Sequence, residues 1–170
     1  MIIAPTIIKT LIDIGADNMN KEEVGANFKF SNYDTVELAK KYGTPLYVLS
    51  EEIIKNNCKE IKIVFLKKYD NTKAVYASKA FLTMAMCKII QKEGLGLDVV
   101  SGGELYTAIK ANFPMNEIIF HGNNKSFDEI EMAIENDVGR IVIDHIDEIS
   151  MIEEIAAKIN KKVKILIRLA

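Results

Sequence analysis

The sequence predicts an α/β fold in which a parallel sheet alternates with helices and is wound as part of a barrel. Two observations predict it. Short apolar runs recur at Tyr76, Leu97, Ile119, Ile141 and Val163, every 21 or 22 residues, so one supersecondary unit is being repeated. Amphipathic segments separate the runs, and no longer crossover marks the reversal of strand order that an open, doubly wound sheet requires. A chain of 170 residues is shorter than a whole (β/α)8 barrel of about 250 residues, so about five βα units are expected.

The first thirty or so residues are weakly patterned and read as an arm. Met1 to Ile8 is apolar but carries Pro5 and has no basic segment before it, so no signal peptide is expected. Val36 to Tyr42 reads as a short helix stopped by Gly43-Thr44-Pro45, and Leu46 to Leu49 as a strand. Ser50 is placed to cap a long helix with Ile53, Ile54, Cys58, Ile61, Val64 and Phe65 on one face. Residues 1–50 therefore form one region, and 51–170 the barrel units.

From Lys73 onward the strands are Ala74 to Ala77, Leu97 to Val100, Ile118 to Phe120, Arg140 to Ile143 and Val163 to Ile167. Each is short and apolar enough to be buried on both faces, as parallel strands are. Between the last two, Ile146, Ile149, Ile152, Ile155, Ala156 and Ile159 recur at helical spacing. Gly94, Gly96, Pro114 and Gly139 fall at helix-to-strand joins, where a left-handed or helix-stopping residue belongs.

Composition narrows the function. Hydrophobic residues make up 49% and charged residues 27%, the profile of a soluble globular protein, and the formal charge of −2 offers no field for nucleic acid or an anionic membrane. No segment reaches the roughly 18 uncharged apolar residues of a membrane span. Cys58 and Cys87 lack metal-type spacing and cannot make a disulfide framework, which points to a reducing cytoplasm. Two isolated histidines make no metal site, so no metal is expected and a small molecule is the expected partner.

Chemistry in parallel α/β folds gathers at the carboxyl ends of strands, and here every strand ends in polar residues. Lys79 follows the first. An amine held there in a low-dielectric pocket suits imine chemistry, but position alone leaves open an exposed loop lysine. Asp98 sits in an apolar strand and needs a partner, either Lys79 or another base. His121 and His145 suit stacking or proton relay, or equally a hydrogen-bonding or capping role. Gly102-Gly103-Glu104 offers backbone N–H groups to an anion, or simply close helix–strand packing. Ser126, followed by Asp128 and Glu129, reads as a helix cap, and Lys125 has no assigned role.

Three motifs in order, Tyr76-Ala77-Ser78-Lys79-Ala80-Phe81, Leu97-Asp98-Val99-Val100-Ser101-Gly102-Gly103-Glu104-Leu105 and Phe120-His121-Gly122-Asn123-Asn124-Lys125-Ser126, resemble the diaminopimelate decarboxylase family, together with Gly43-Thr44-Pro45-Leu46-Tyr47-Val48. The resemblance runs from about Tyr42 to Arg168. It implies a fold-type III pyridoxal-phosphate enzyme: a (β/α)8 TIM-type barrel of the alanine-racemase-like kind followed by a β-rich domain, to which the Leu46 to Leu49 strand would belong. The implied activity is removal of a carboxylate from meso-diaminopimelate to yield L-lysine and carbon dioxide. Lys79 is similar to the family's imine-forming lysine, Asp98 to an acidic position near it, His121 to the histidine of the HGN motif, and Arg168 to an arginine near the cofactor. Ser78 and Phe81 depart from the Tyr-Ala-Leu-Lys-Ala-Asn form common in the wider family.

By the same resemblance, the phosphate loops, the partner of the ring nitrogen, a catalytic cysteine and tyrosine, and much of a homodimer interface are expected beyond Ala170. Decarboxylation by these residues alone is not expected. Two other readings stay open: a related decarboxylase of ornithine, arginine or lysine, and a non-enzymatic half-barrel that binds a small ligand.

Overall fold

In the computed structural model, residues 2–3 and 27–169 are described, so most of the expected amino-terminal arm lies outside them. The chain divides into two units, residues 1–54 and 55–170. In the first, strand β1 (Ile2–Ile3) pairs antiparallel with β4 (Tyr47–Val48). Strands β2 (Lys29–Phe30) and β3 (Tyr33–Asp34) form a hairpin whose turn residues, Ser31 and Asn32, have φ of 47° and 69°. Positive φ at both positions gives the turn the twist that a tight hairpin needs. Asp34 then caps helix α1 (Thr35–Tyr42), its Oδ1 accepting from the N–H groups of Val36 and Glu37. Gly43, at φ 81°, ends that helix before Pro45.

Helix α2 (Glu51–Ile61) spans the division and runs on into a π-helical turn, Lys62–Leu66. Ser50 Oγ accepts from Ile53 N–H, the expected cap. The expected apolar face is only partly buried: Cys58 is covered, whereas Ile53, Ile61, Val64 and Phe65 are exposed. Periodicity identifies a stripe that seeks a partner but carries no information about what covers it.

The second unit holds five parallel strands in sequential order: β5 (Val75–Ala77), β6 (Gly96–Val99), β7 (Ile118–Phe120), β8 (Arg140–Ile143) and β9 (Ile165–Ile167). Helices α3 (Met84–Lys92), α4 (Gly102–Lys110), α5 (Phe127–Glu135) and α6 (Asp147–Lys158) connect them. Sequential parallel pairing is the wall of a barrel, as the repeat predicts. Leu97, Val99, Ile118, Phe120, Ile141 and Ile143 point to the outer face and are buried with Cys87, Ile90, Leu105, Ala108, Ile130 and Ile155 of the helices. The alternate residues Ala77, Asp98 and Ile119 are cross-strand partners and share the inner face, which is only part-covered. Strand β9 is shorter than the predicted Val163 to Ile167, and all three of its residues are exposed.

The joins repeat with the period. Each of α3 to α6 ends in a residue at positive φ, namely Gly94, Asn112, Asp137 and Asn160. Each join has the same 6→1 hydrogen bond, from Leu95, Phe113, Val138 and Lys161 to Ile90, Ala108, Ala133 and Ala156. Sequence patterning assigns this work to glycine and proline, yet Asn and Asp do it at three of four joins, because their short polar side chains tolerate the left-handed region. Gly96 and Gly139 serve a different need. A Cβ on either would run into a backbone carbonyl, of Glu117 and Asn116 respectively. Gly96 accordingly lies inside β6 rather than before it.

Candidate functional site

The loops at the carboxyl ends of β5 to β9 share one rim. Lys79 stands in a 3-10 turn, Ser78–Ala80, directly after β5, and the Tyr76 hydroxyl fastens the far side of that turn by donating to Phe81 O at 2.8 Å. Lys79 is exposed, not enclosed in a low-dielectric pocket. The reason is its place beyond the last strand residue, on a rim that the described residues leave open. Ser78 beside it is buried, and its hydroxyl has no hydrogen-bond partner among the described residues.

Asp98 projects from β6 on the inner face. Its Oδ1 is buried and without a hydrogen-bond partner among the described residues. Burial pushes its carboxyl above the usual range, and the nearby His121 and Lys79 oppose that shift. Of the two partners the sequence allows it, Asp98 has an electrostatic one in Lys79, with His121 added, and no direct ion pair among the described residues.

His121 follows β7, its N–H donating to Val99 O at 2.8 Å. Its Nε2 lies 4.0 Å from Asp144 Oδ1, past the end of β8. The same oxygen accepts from Arg168 Nη1 at 2.7 Å, past the end of β9. The structure thus gathers Lys79, Asp98 and His121, and reaches Arg168 through Asp144. Asp144 is a residue that sequence reasoning passed over as a mere strand end. The available signal was its place two residues after the inner-face Val142, the same step that separates His121 from Ile119.

Other expectations resolve locally. Ser126 caps α5 with a full capping box: its Oγ accepts from Glu129 N–H at 3.3 Å and Glu129 Oε2 accepts from Ser126 N–H at 2.9 Å. Glu129 Oε1 also takes the Gly102 N–H at 2.6 Å, so that amide is already bonded and Gly102 packs against the Glu129 side chain, whereas a Cβ on Gly103 would meet only Ser101 Oγ, at 4.0 Å. Those amides hold the Glu129 carboxyl below its usual range. His145 is exposed, and its Nδ1 accepts from Asp147 N–H at 3.4 Å at the start of α6. Lys125 is almost fully buried and paired with Glu148 at 2.9 Å. No group of metal-ligating side chains occurs among the described residues. A hollow of about 390 Å³ lies at the opposite, amino end of the strands, beside Lys73 and Glu117, and contains none of these residues.

Known proteins share this fold. Diaminopimelate decarboxylase of Bacillus methanolicus is 48% identical over 142 residues, which are 84% of this chain and 33% of that protein. That of Bacillus subtilis is 41% identical over 150 residues, 88% of this chain and 34% of the relative. The chain therefore spans about a third of the length of these curated relatives. The crystal structure of the Methanocaldococcus jannaschii diaminopimelate decarboxylase in complex with L-lysine superimposes with a TM-score of 0.79 at 39% identity, over 86% of this chain and 35% of that one. The Vibrio vulnificus lysine/ornithine decarboxylase shares the fold at a TM-score of 0.69 and 20% identity. The profile of the pyridoxal-dependent decarboxylases, in their pyridoxal binding domain, matches residues 31–170, and the chain belongs to that family.

Proposed function

We propose that this chain is the cofactor-holding portion of a diaminopimelate decarboxylase, which converts meso-diaminopimelate to L-lysine and carbon dioxide. The observation that carries the reading is the convergence on one rim of Lys79, His121 and the Asp98 carboxylate, whose Oδ1 has no hydrogen-bond partner among the described residues. A buried carboxylate oxygen with no protein partner is costly, and it suits a bound group that brings positive charge. These residues fit pyridoxal phosphate. Identities of 41% and 48% to curated diaminopimelate decarboxylases favour this substrate over ornithine or arginine.

When bound, the pyridoxal group supplies an electron sink for the charge left behind as the carboxylate departs. Lys79 would be the amine that holds it. Asp98 opposes positive charge beside Lys79, and His121 flanks the same space from the next strand. Arg168, oriented by Asp144, contributes a fixed cation further round the rim. A homodimer and a cytoplasmic location complete the reading, supported by the family resemblance and by two buried free thiols, Cys58 and Cys87. No helix of the described residues is long and apolar enough to cross a membrane.

The test is intact mass after incubation with pyridoxal phosphate and borohydride, followed by peptide mapping. One adduct is expected, on Lys79, absent from Lys79→Ala and diminished when meso-diaminopimelate is added before the reductant. Labelling scattered over surface lysines, unchanged in Lys79→Ala, overturns the assignment.

A further inference from the structure

The mechanism above leaves one buried charged pair without a task. Lys125 and Glu148 have side chains 1% and 4% exposed, and their Nζ and Oε1 are 2.9 Å apart. Lys125 lies in the loop after β7 and Glu148 in the first turn of α6, so the pair spans two successive βα units. Every donor and acceptor in it is used. Lys125 Nζ also donates to Gly122 O at 2.7 Å and to Val142 O at 2.8 Å. Glu148 Oε2 accepts from Asp144 N–H at 3.0 Å. Gly122 follows His121, and its φ of 112° places it where a Cβ would approach Val100 O to 2.9 Å.

Burial of such a pair is a poor way to gain stability, since desolvation offsets most of the attraction and an apolar pair of equal volume often does as well. What it supplies is geometry. One ammonium fixes the carbonyl next to His121, and one carboxylate fixes the amide of Asp144, whose side chain faces both His121 and Arg168. A comparable carboxylate, Glu104 Oε2, takes the Val100 N–H at 2.8 Å two units earlier, with no lysine paired to it among the described residues. The lysine link is added where His121 and Asp144 meet.

We infer that the Lys125–Glu148 pair is a positioning device: it sets His121 and Asp144 in register across adjacent strand ends and so shapes the rim that Lys79 shares. The inference rests on the cofactor reading only for its consequence at Lys79, because the placement of His121 is measurable without any cofactor.

The chain has two histidines, so imidazole NMR signals give a direct readout, with His145→Gln used to tell them apart. In Lys125→Met, the His121 ring signals shift while those of His145 stay, and Lys79 labelling at limiting pyridoxal phosphate falls by about tenfold, the scale of a modest misplacement. The double variant Lys125→Met/Glu148→Gln removes the uncompensated charge and keeps the protein folded should the single variant fail to fold. Its melting temperature returns toward that of the parent while the His121 signals remain displaced. Folded variants in which His121 signals match the parent, with only the melting temperature lowered, overturn the inference. If the parent chain shows no Lys79 labelling, the cofactor reading fails while the His121 shifts still decide this one.

Discussion

Asp144 Oδ1 accepts from Arg168 Nη1 at 2.7 Å and lies 4.0 Å from His121 Nε2, so one carboxylate oxygen faces groups from the strand on either side of its own. The Arg168 side chain is 54% exposed, which places the bond in the weakly stabilising class of surface ion pairs. Asp144→Ala is expected to cost less than about 1 kcal/mol in urea unfolding yet to displace the His121 imidazole signals. A loss of several kcal/mol with unmoved signals would identify Asp144 as a core structural residue instead.

Asp98 carries a conflict between stability and function. Its carboxyl is raised above the usual range by burial, so the folded chain binds that proton more tightly than the unfolded chain does. The associated stability is fully present below the ordinary carboxylate range and is lost as pH rises through the elevated folded value. Asp98→Asn therefore stabilises the chain at neutral pH, by under about 1 kcal/mol because water screens part of the group. The difference from the parent vanishes on acidification below the ordinary range. The same variant lowers Lys79 labelling by pyridoxal phosphate. Equal stability of the two at neutral pH would show that the carboxylate is solvated rather than buried.

Glycines separate by what surrounds them. Gly139→Ala drives a Cβ into the Asn116 carbonyl at a join between strands, and a cost of about 1–3 kcal/mol is expected from overpacking against backbone. Gly103, in the first turn of α4, has only Ser101 Oγ nearby, at 4.0 Å. Gly103→Ala is expected to be neutral or to stabilise by up to about 1 kcal/mol through reduced chain entropy. Thermal melts of the pair decide; similar losses in both would mean that glycine at 103 is required by something other than space.

The capping box at Ser126 links the motif after β7 to the helix that follows. Ser126→Ala removes the bond to Glu129 N–H, with an expected loss of about 1 kcal/mol. Because Glu129 also holds Gly102 N–H, the variant is expected to increase amide exchange at the start of α4 as well as of α5. Exchange confined to α5 would show the two helix starts to be independent.

Much of the sheet was legible because its information is local. A run of β-branched residues every 21 or 22 positions, each followed by an amphipathic helix, leaves sequential parallel pairing as the simplest arrangement, and all five strands lie within two residues of where the pattern puts them. Caps were legible too, since Ser50 and Ser126 bond to amides three residues away. The Asn and Asp residues that end three of the helices were not, because the same residue types occupy many other positions and only φ distinguishes them. Lys79 and Asp98 were visible as polar residues in apolar surroundings. Asp144 and the Lys125–Glu148 pair were hidden, since residues 17 to 24 apart bond only once the strands align.

The sequence by itself determined the order of the units and the class of fold, because both follow from spacing along the chain, and it offered Lys79 for the proposed chemistry only through the resemblance of its motifs. Only the tertiary structure decided which side chains share a charge. Parallel register brings Ala77, Asp98 and Ile119 side by side on the inner face, and the same alignment delivers His121 and Arg168 to Asp144. Hydrogen bonds and ion pairs fall off over a few ångströms, so their partners are set by that alignment and not by distance along the sequence.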